Sequence, residues 1–167
     1  MPVQFAAAQQ HPGEAMIIGG RGNQPAAARM ETPRAPPAAA RAPVRDHAVA
    51  SLPSGGALLF GGETANGPFF PTYELQGTDW NKQFPNPQPG VRSAHSLLLD
   101  EARQNNVMFG GQNPLGTKLG DTWTYQNGQW SYLTPTNAPA PRSEHAMAYD
   151  PTTGTGILFG GEDDTGT

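Results

Sequence analysis

Short apolar runs that end in two adjacent glycines set the hydrophobic pattern of this 167-residue chain. Each run places three apolar residues before the glycines, mostly branched or aromatic, which favours a β-strand. The closing glycines lie 42, 49 and 50 residues apart. The four copies are Met16–Gly20, Leu58–Gly62, Val107–Gly111 and Ile157–Gly161. A strand-bearing unit that repeats at this interval is typical of the blades of a β-propeller.

The residues before each glycine pair alternate with a period of two. In the fourth copy His145, Met147 and Tyr149 fall on one face, and Ala146 and Ala148 fall on the other. This alternation predicts a first strand (A), which a turn joins to the strand that ends in the glycines (B). The glycine pair indicates positive φ angles or a close backbone contact between blades.

A second predicted hairpin, strands C and D, follows in the two middle copies. Thr122–Tyr125 and Trp130–Leu133 flank Gln126–Gly128, in which Asn-Gly is a strong hairpin signal. Trp80 occupies the equivalent place in the preceding copy. We expect both tryptophans to fill the space between blades, and the alternative is that they stack on carbohydrate.

These elements predict an all-β fold, a partial propeller of about three to four four-stranded blades with the first and last incomplete. Between the first glycine pair and the second copy the chain is rich in Ala, Pro and Arg, which suits a degenerate half-blade or a loop. The predicted units are strands A and B of blade one in 1–20, the degenerate segment in 21–44, blade two in 45–84, blade three in 92–134, and strands A and B of blade four in 142–167.

Three motifs resemble the kelch repeat in the form found in bacterial multi-kelch proteins. They are Pro141–Asp150, Leu158–Gly161, and Leu119–Trp123 followed by Trp130. The resemblance covers residues 45–167, is weak in 1–20 and is absent from 21–44. It implies a kelch-type propeller, a fold that hosts both enzymes and binding modules.

Kelch propellers usually contain six or seven blades, which is more than this chain supplies. An open stack of blades leaves exposed edges and end faces. We expect the chain to be a fragment of a longer propeller, because no strand is left over to complete blade four. The alternatives are copies that associate to close a ring, or a truncated product.

The predicted topology places two sets of polar residues on one rim, because the B–C and D–A connections emerge on the same side. In kelch proteins that capture peptides this rim is the binding face, and arginines before strand A hold acidic ligands. The resemblance therefore implies ligand-binding candidates at Arg45, Arg92, Arg142, Glu63, Gln112 and Glu162. The alternative is that each arginine pairs with a local acid such as Glu144 or with a loop carbonyl.

The histidines of strand A and an acidic cluster are candidates for metal binding. His47, His95 and His145 recur at nearly equivalent positions, but such positions lie too far apart around a ring to share one ion. We therefore expect them to bond the backbone of an adjacent blade. Residues 162–164, Glu-Asp-Asp, suit either a cation site or a solvated tail.

Composition and charge argue against some classes of function. The chain has no cysteine, which the copper chemistry of galactose oxidase requires, and its net charge of −4 argues against a nucleic-acid surface. No apolar run is long enough to span a membrane. We predict a noncatalytic protein- or ligand-binding module with a protein, peptide or glycan partner and no cofactor. The alternative is part of a kelch-type enzyme that resembles galactose oxidase or a sialic-acid epimerase. The compartment is left open.

Overall fold

A computed structural model of the chain describes residues 44–164, and that range is all-β, with twelve strands and no helix. The predicted strands of 1–20, the segment 21–43 and residues 165–167 lie outside the described residues. The strands are β1 (Ala48–Ser51), β2 (Ala57–Phe60), β3 (Glu63–Thr64), β4 (Gly67–Pro68), β5 (Thr72–Gln76), β6 (Asp79–Gln83), β7 (Ser96–Asp100), β8 (Asn105–Phe109), β9 (Thr122–Gln126), β10 (Gln129–Leu133), β11 (Arg142–Asp150) and β12 (Thr155–Asp163).

Three antiparallel sheets follow one another and form a partial propeller-like fold, as predicted, and a fourth, two-stranded sheet of β3 and β4 lies in the B–C connection of blade two. Blade two has the strand order β1-β2-β5-β6 and blade three the order β7-β8-β9-β10. Blade four consists of β11 and β12 in the described range. The inner strands β1, β7 and β11 are neighbours across the blade boundaries. Each blade therefore sends its A–B and C–D turns to one rim and its B–C and D–A connections to the other.

The first glycine of each pair lies against the histidine of the following blade. Gly61 and Gly110 both have φ of +67°, a backbone conformation that L side chains rarely adopt. A Cβ on Gly61 would lie 2.6 Å from Cε1 of His95, and one on Gly110 would lie 3.0 Å from Cε1 of His145. A Cβ on Gly160 would meet nothing within 4 Å, because no further blade lies beside it in the described range.

The second glycine of each pair lies against its own blade. A Cβ on Gly62, Gly111 or Gly161 would lie within 3.0 Å of the Cβ of the histidine in the same blade. Two of these glycines also reach the next blade through the backbone. The Gly62 N–H donates to the Arg92 carbonyl at 2.8 Å, and the Gly111 N–H donates to the Arg142 carbonyl at 2.9 Å. The predicted close contact between blades is confirmed.

The inner strands are joined by a backbone ladder at a position that carries no glycine. Asp46, Ala94 and Glu144, each just before the strand-A histidine, have φ of +55°, +54° and +60°. The Ala94 N–H donates to the Asp46 carbonyl at 2.8 Å, and the Glu144 N–H donates to the Ala94 carbonyl at 2.9 Å. A non-glycine residue in this conformation costs roughly 1–2 kcal/mol. The hydrogen bonds between blades offset that strain.

Trp130 fills the space between blades two and three, as predicted. Its side chain is 1% exposed, and its Nε1 donates to the Thr72 hydroxyl in blade two at 3.0 Å. Its ring centroid lies 5.2 Å from that of Phe60 and 4.9 Å from that of Tyr125. Trp80 is also buried and belongs to a cluster within blade two. Trp130 therefore joins two blades, and Trp80 packs against residues of its own blade.

Replacing Gly61 with alanine should destabilise the protein much more than replacing Gly77. Both glycines have similar φ, +67° and +61°, but a Cβ on Gly77 would meet nothing within 4 Å. Gly77→Ala should cost about 1 kcal/mol from backbone strain. Gly61→Ala should cost about 2 kcal/mol more, because its Cβ would displace both the His95 ring and the Arg92 carbonyl, which lies 2.7 Å away. Denaturant unfolding measures both losses, and equal losses would show that the glycine–histidine contact is unimportant.

Candidate functional site

The residues that end strand B pair with the residues two places before the strand-A histidine. Arg45 bridges Glu63, Ser93 bridges Gln112, and Ser143 pairs with Glu162 across β11 and β12. Arg45 therefore occupies the place of the two serines and is not equivalent to Arg92 or Arg142. We call this side of the fold the upper rim, formed by Arg45, Glu63, Ser93, Gln112, Lys118, Arg142, Ser143 and Glu162.

Glu63 connects blades two and three on the upper rim. Its Oε2 accepts from Arg45 Nη2 at 2.9 Å, and its Oε1 accepts from the Ser93 hydroxyl at 3.0 Å. The hydrogen bond from Arg45, followed by that from Ser93, lowers the pKa of the Glu63 carboxyl. Because the Arg45 side chain is 69% exposed, solvent weakens this ion pair and leaves Arg45 accessible to a ligand.

Lys118 connects blades three and four. Its Nζ donates to the Ser143 hydroxyl at 2.7 Å and lies 3.5 Å from both Gln112 Oε1 and Glu162 Oε2. The structure therefore brings Gln112 and Glu162 together around this lysine. Lys118 has no signal in the sequence, because it stands in the B–C connection, outside the repeated motifs.

Arg92 is buried and already paired. Its two terminal nitrogens donate to the two carboxylate oxygens of Asp121 at 2.6 and 2.7 Å, and its side chain is 2% exposed. It also donates to the carbonyls of Gly90 and Gly110. Burial raises the pKa of Asp121, but hydrogen bonds from Arg92 and Trp123 outweigh it, so the pKa lies below its usual value. A ligand acid could bind Arg92 only by displacing Asp121, and that role stays a prediction.

Arg142, the equivalent residue of blade four, has an open guanidinium. Its Nε donates to the Ala140 carbonyl at 3.2 Å and its Nη1 to the Gly160 carbonyl at 2.9 Å. Within residues 44–164 it forms no ion pair, and its Nη2 donates no hydrogen bond. Within that range, therefore, the second terminal nitrogen of Arg142 has no acceptor.

The B–C loop of blade three presents an exposed leucine on the same rim. Leu115 is 91% exposed. The Asn113 Oδ1 accepts from the N–H groups of Leu115 and Thr117 at 2.9 and 3.0 Å, and the Asn113 N–H donates to the Thr117 carbonyl at 3.0 Å. These bonds hold the loop in one conformation. The leucine is therefore positioned for contact with another molecule.

Two of the three strand-A histidines, His95 and His145, are buried between blades, whereas His47 is exposed. His95 and His145 are each 6% exposed, and neither ring makes a hydrogen bond within the described chain, contrary to expectation. Burial, followed by the Arg92 charge, lowers the pKa of His95 to about 3. The Phe60 backbone raises the pKa of His95, although it forms no hydrogen bond with the ring. In residues 44–164 no three acidic or histidine side chains are grouped as metal ligands.

Two comparisons with known proteins found no match. No family model matches the chain, and a search of the curated proteins also gives no match. Within the described residues there is no helix of the length and apolarity that crossing a bilayer requires. The case for function therefore rests on the geometry of the upper rim.

We expect acid to destabilise the protein in part through His95. Its pKa in the folded state, about 3, lies below the unfolded value of 6.5, so the unfolded chain binds the proton first as the pH falls. The stabilising contribution is complete above pH 6.5 and is lost between there and pH 3. Between pH 7 and pH 4.5 the loss should be on the order of 2–3 kcal/mol.

Denaturant unfolding at several pH values tests this expectation. His95→Gln should show a smaller fall in unfolding free energy over that range than the unaltered chain. A proton NMR titration of the unaltered chain provides a second measurement, in which the His95 ring resonances should stay constant from pH 8 to pH 5. A ring that titrates near pH 6.5 would contradict the burial argument.

Asp121→Asn should destabilise the fold by about 2 kcal/mol, because it leaves the buried Arg92 without its counter-charge. Asparagine keeps an oxygen that can accept from Trp123 Nε1, which now lies 2.7 Å from Asp121 Oδ2. Arg103→Ala is the control: it breaks an ion pair of 2.7 Å in which the arginine is 67% exposed, and should cost far less. Thermal unfolding distinguishes the two, and similar losses would contradict a buried structural pair.

Proposed function

We propose that this chain is a noncatalytic binding module of the kelch propeller type that binds a protein or peptide on its upper rim. The Leu115 loop is the observation that carries the proposal. A fully exposed leucine on a hydrogen-bonded loop offers apolar area to a partner at little cost in conformational entropy. Binding sites are commonly built on such loops, which a rigid scaffold positions.

The charges beside this loop favour a ligand that carries an acidic group. Arg92 shows how a carboxylate is held at this position of the repeat, by two parallel hydrogen bonds from one guanidinium. Arg142 has the same place in blade four, where its Nη2 has no acceptor among residues 44–164, and Lys118 lies beside its neighbour Ser143. Because the Arg142 N–H donates to the Leu119 carbonyl at 3.1 Å, an acidic side chain bound to Arg142 would bring the adjoining residues of a peptide to the B–C connection that carries Lys118 and Leu115.

We favour a polypeptide over a glycan. The two tryptophans considered for stacking on carbohydrate, Trp80 and Trp130, are 8% and 1% exposed, so their faces are covered by protein. Leucine and arginine on one rim suit a peptide that has an apolar and an acidic side chain. No observation favours the enzymatic alternative, which stays an untested prediction.

Selection from a displayed peptide library tests the proposal. The unaltered chain should enrich peptides with an acidic residue near an apolar one. Leu115→Ser and Arg142→Ala should each weaken binding of an enriched peptide at least tenfold. Arg103→Ala, which changes an exposed arginine on the opposite rim, should leave binding unchanged. Thermal unfolding confirms that each variant is folded.

Two results would refute the proposal. The first is a library from which the folded chain enriches no peptide. The second is an enriched peptide whose affinity is the same for the unaltered chain, Leu115→Ser and Arg142→Ala.

A further inference from the structure

A polar cleft lies between blades two and three on the rim opposite the upper rim. We call this side the lower rim; it is formed by the A–B and C–D turns. The cleft has a volume of about 540 Å³, and residues of both blades line it, among them Leu52, Pro53, Glu74, Gln104, Tyr125 and Gln126. It is open to solvent and separate from the residues of the proposed peptide site.

Among residues 44–164, Glu74 is the one charged residue that lines this cleft. Its Oε1 accepts from the Tyr125 hydroxyl at 2.8 Å, and its Oε2 accepts from Gln76 Nε2 at 3.2 Å. Burial and then the Glu74 carboxylate raise the pKa of Tyr125, so the tyrosine stays a donor. In the part of the chain that the structure describes, Glu74 forms no ion pair. Its negative charge is therefore hydrogen-bonded but not neutralised.

The glutamine side chains of the cleft leave oxygen atoms for a ligand. The Gln126 Nε2 donates to the carbonyls of Gln104 and Arg103 at 3.1 and 3.4 Å. The Gln104 Nε2 donates to the Glu101 carbonyl at 2.7 Å. Because these donors are bonded to the backbone, the side-chain oxygens are the groups that remain. The cleft is therefore rich in acceptors.

A neighbouring buried amide oxygen adds to the negative character of the cleft, and the arginine beside the cleft is already paired. Asn106, the partner of Tyr125 across β8 and β9, donates to the Ser51 carbonyl at 2.8 Å, and its buried Oδ1 accepts no hydrogen bond. Arg103, which precedes the cleft residue Gln104, forms an ion pair with Asp100 at 2.7 Å. Its charge is therefore already matched and does not neutralise Glu74.

We propose that this cleft binds the cationic side chain of a lysine or arginine from a partner polypeptide, with Glu74 as its counter-charge. Leu52 and Pro53 supply apolar surface for the aliphatic stem that such a side chain carries. The cleft is also wider than a bare ammonium group requires, which favours a longer segment over a small free amine. The site is independent of the upper rim and of the ligand proposed there.

An NMR titration with small probes tests this site. The probes are acetyl-Gly-Lys-Gly-amide, the same peptide with norleucine in place of lysine, and n-butylamine. The lysine peptide should shift the resonances of Gln126 and Gln104. The norleucine peptide and butylamine should each bind at least tenfold more weakly, since the first lacks the charge and the second lacks the peptide.

Variants of the cleft provide the matched comparison. Glu74→Gln keeps an oxygen for the Tyr125 hydroxyl and removes the charge, so it should weaken binding of the lysine peptide at least tenfold. Glu101→Gln removes an exposed charge from the same rim outside the cleft, and should change binding less than twofold. Ser54 lies on an exposed turn that lines the cleft, and Ser54→Lys should also weaken binding tenfold, because it places a positive charge there. This variant tests the site even if Glu74→Gln does not fold.

Three outcomes would overturn the proposal. The first is unchanged binding of the lysine peptide to folded Glu74→Gln or Ser54→Lys. The second is equal affinity for the norleucine peptide. The third is equal affinity for butylamine, which would point to a small amine. Leu115→Ser should leave lysine-peptide binding intact, so failure here and failure at the upper rim are distinguishable.

Discussion

Hydrogen bonds between the backbones of consecutive inner strands hold the blades of this protein together. The N–H of Ala94 reaches the Asp46 carbonyl, and the N–H of Glu144 reaches the Ala94 carbonyl, which fixes the separation of the three sheets near the axis. This separation requires glycine at position 61, because the His95 ring of the next blade occupies the space that a Cβ there would need. Backbone hydrogen bonds and close packing therefore act together at each boundary.

Both candidate sites depend on these boundaries. On the upper rim, Glu63 reaches Ser93 and Lys118 reaches Ser143, so each contact joins side chains of two blades. On the lower rim, the hydrogen bond from Tyr125 to Glu74 also crosses between blades. A change in the angle between sheets would pull apart these pairs. The geometry available to a ligand is therefore set by the packing of the sheets more than by the loops alone.

The sequence predicted the sheets well because the strand signals are local. Alternation, the glycine pairs and one Asn-Gly turn located the strands of blades two and three, and the burial of Trp130 followed from its position in the repeat. The partner of Arg92 could not be predicted, since Asp121 lies 29 residues away and meets it only through sheet packing. Positive φ at Ala94 has no signal in the residue type.

The contact between a glycine and the histidine of the following sheet has a consequence for how such chains can evolve. Duplication of a segment copies one sheet, but compatibility at its border is decided jointly by residues of two sheets. A transplanted unit therefore has to bring a paired glycine to one neighbour and an imidazole to the other. Gly61 and Gly110 both meet that requirement, so this contact is one part of the joint that recurs from boundary to boundary, while the side chains on the rims differ.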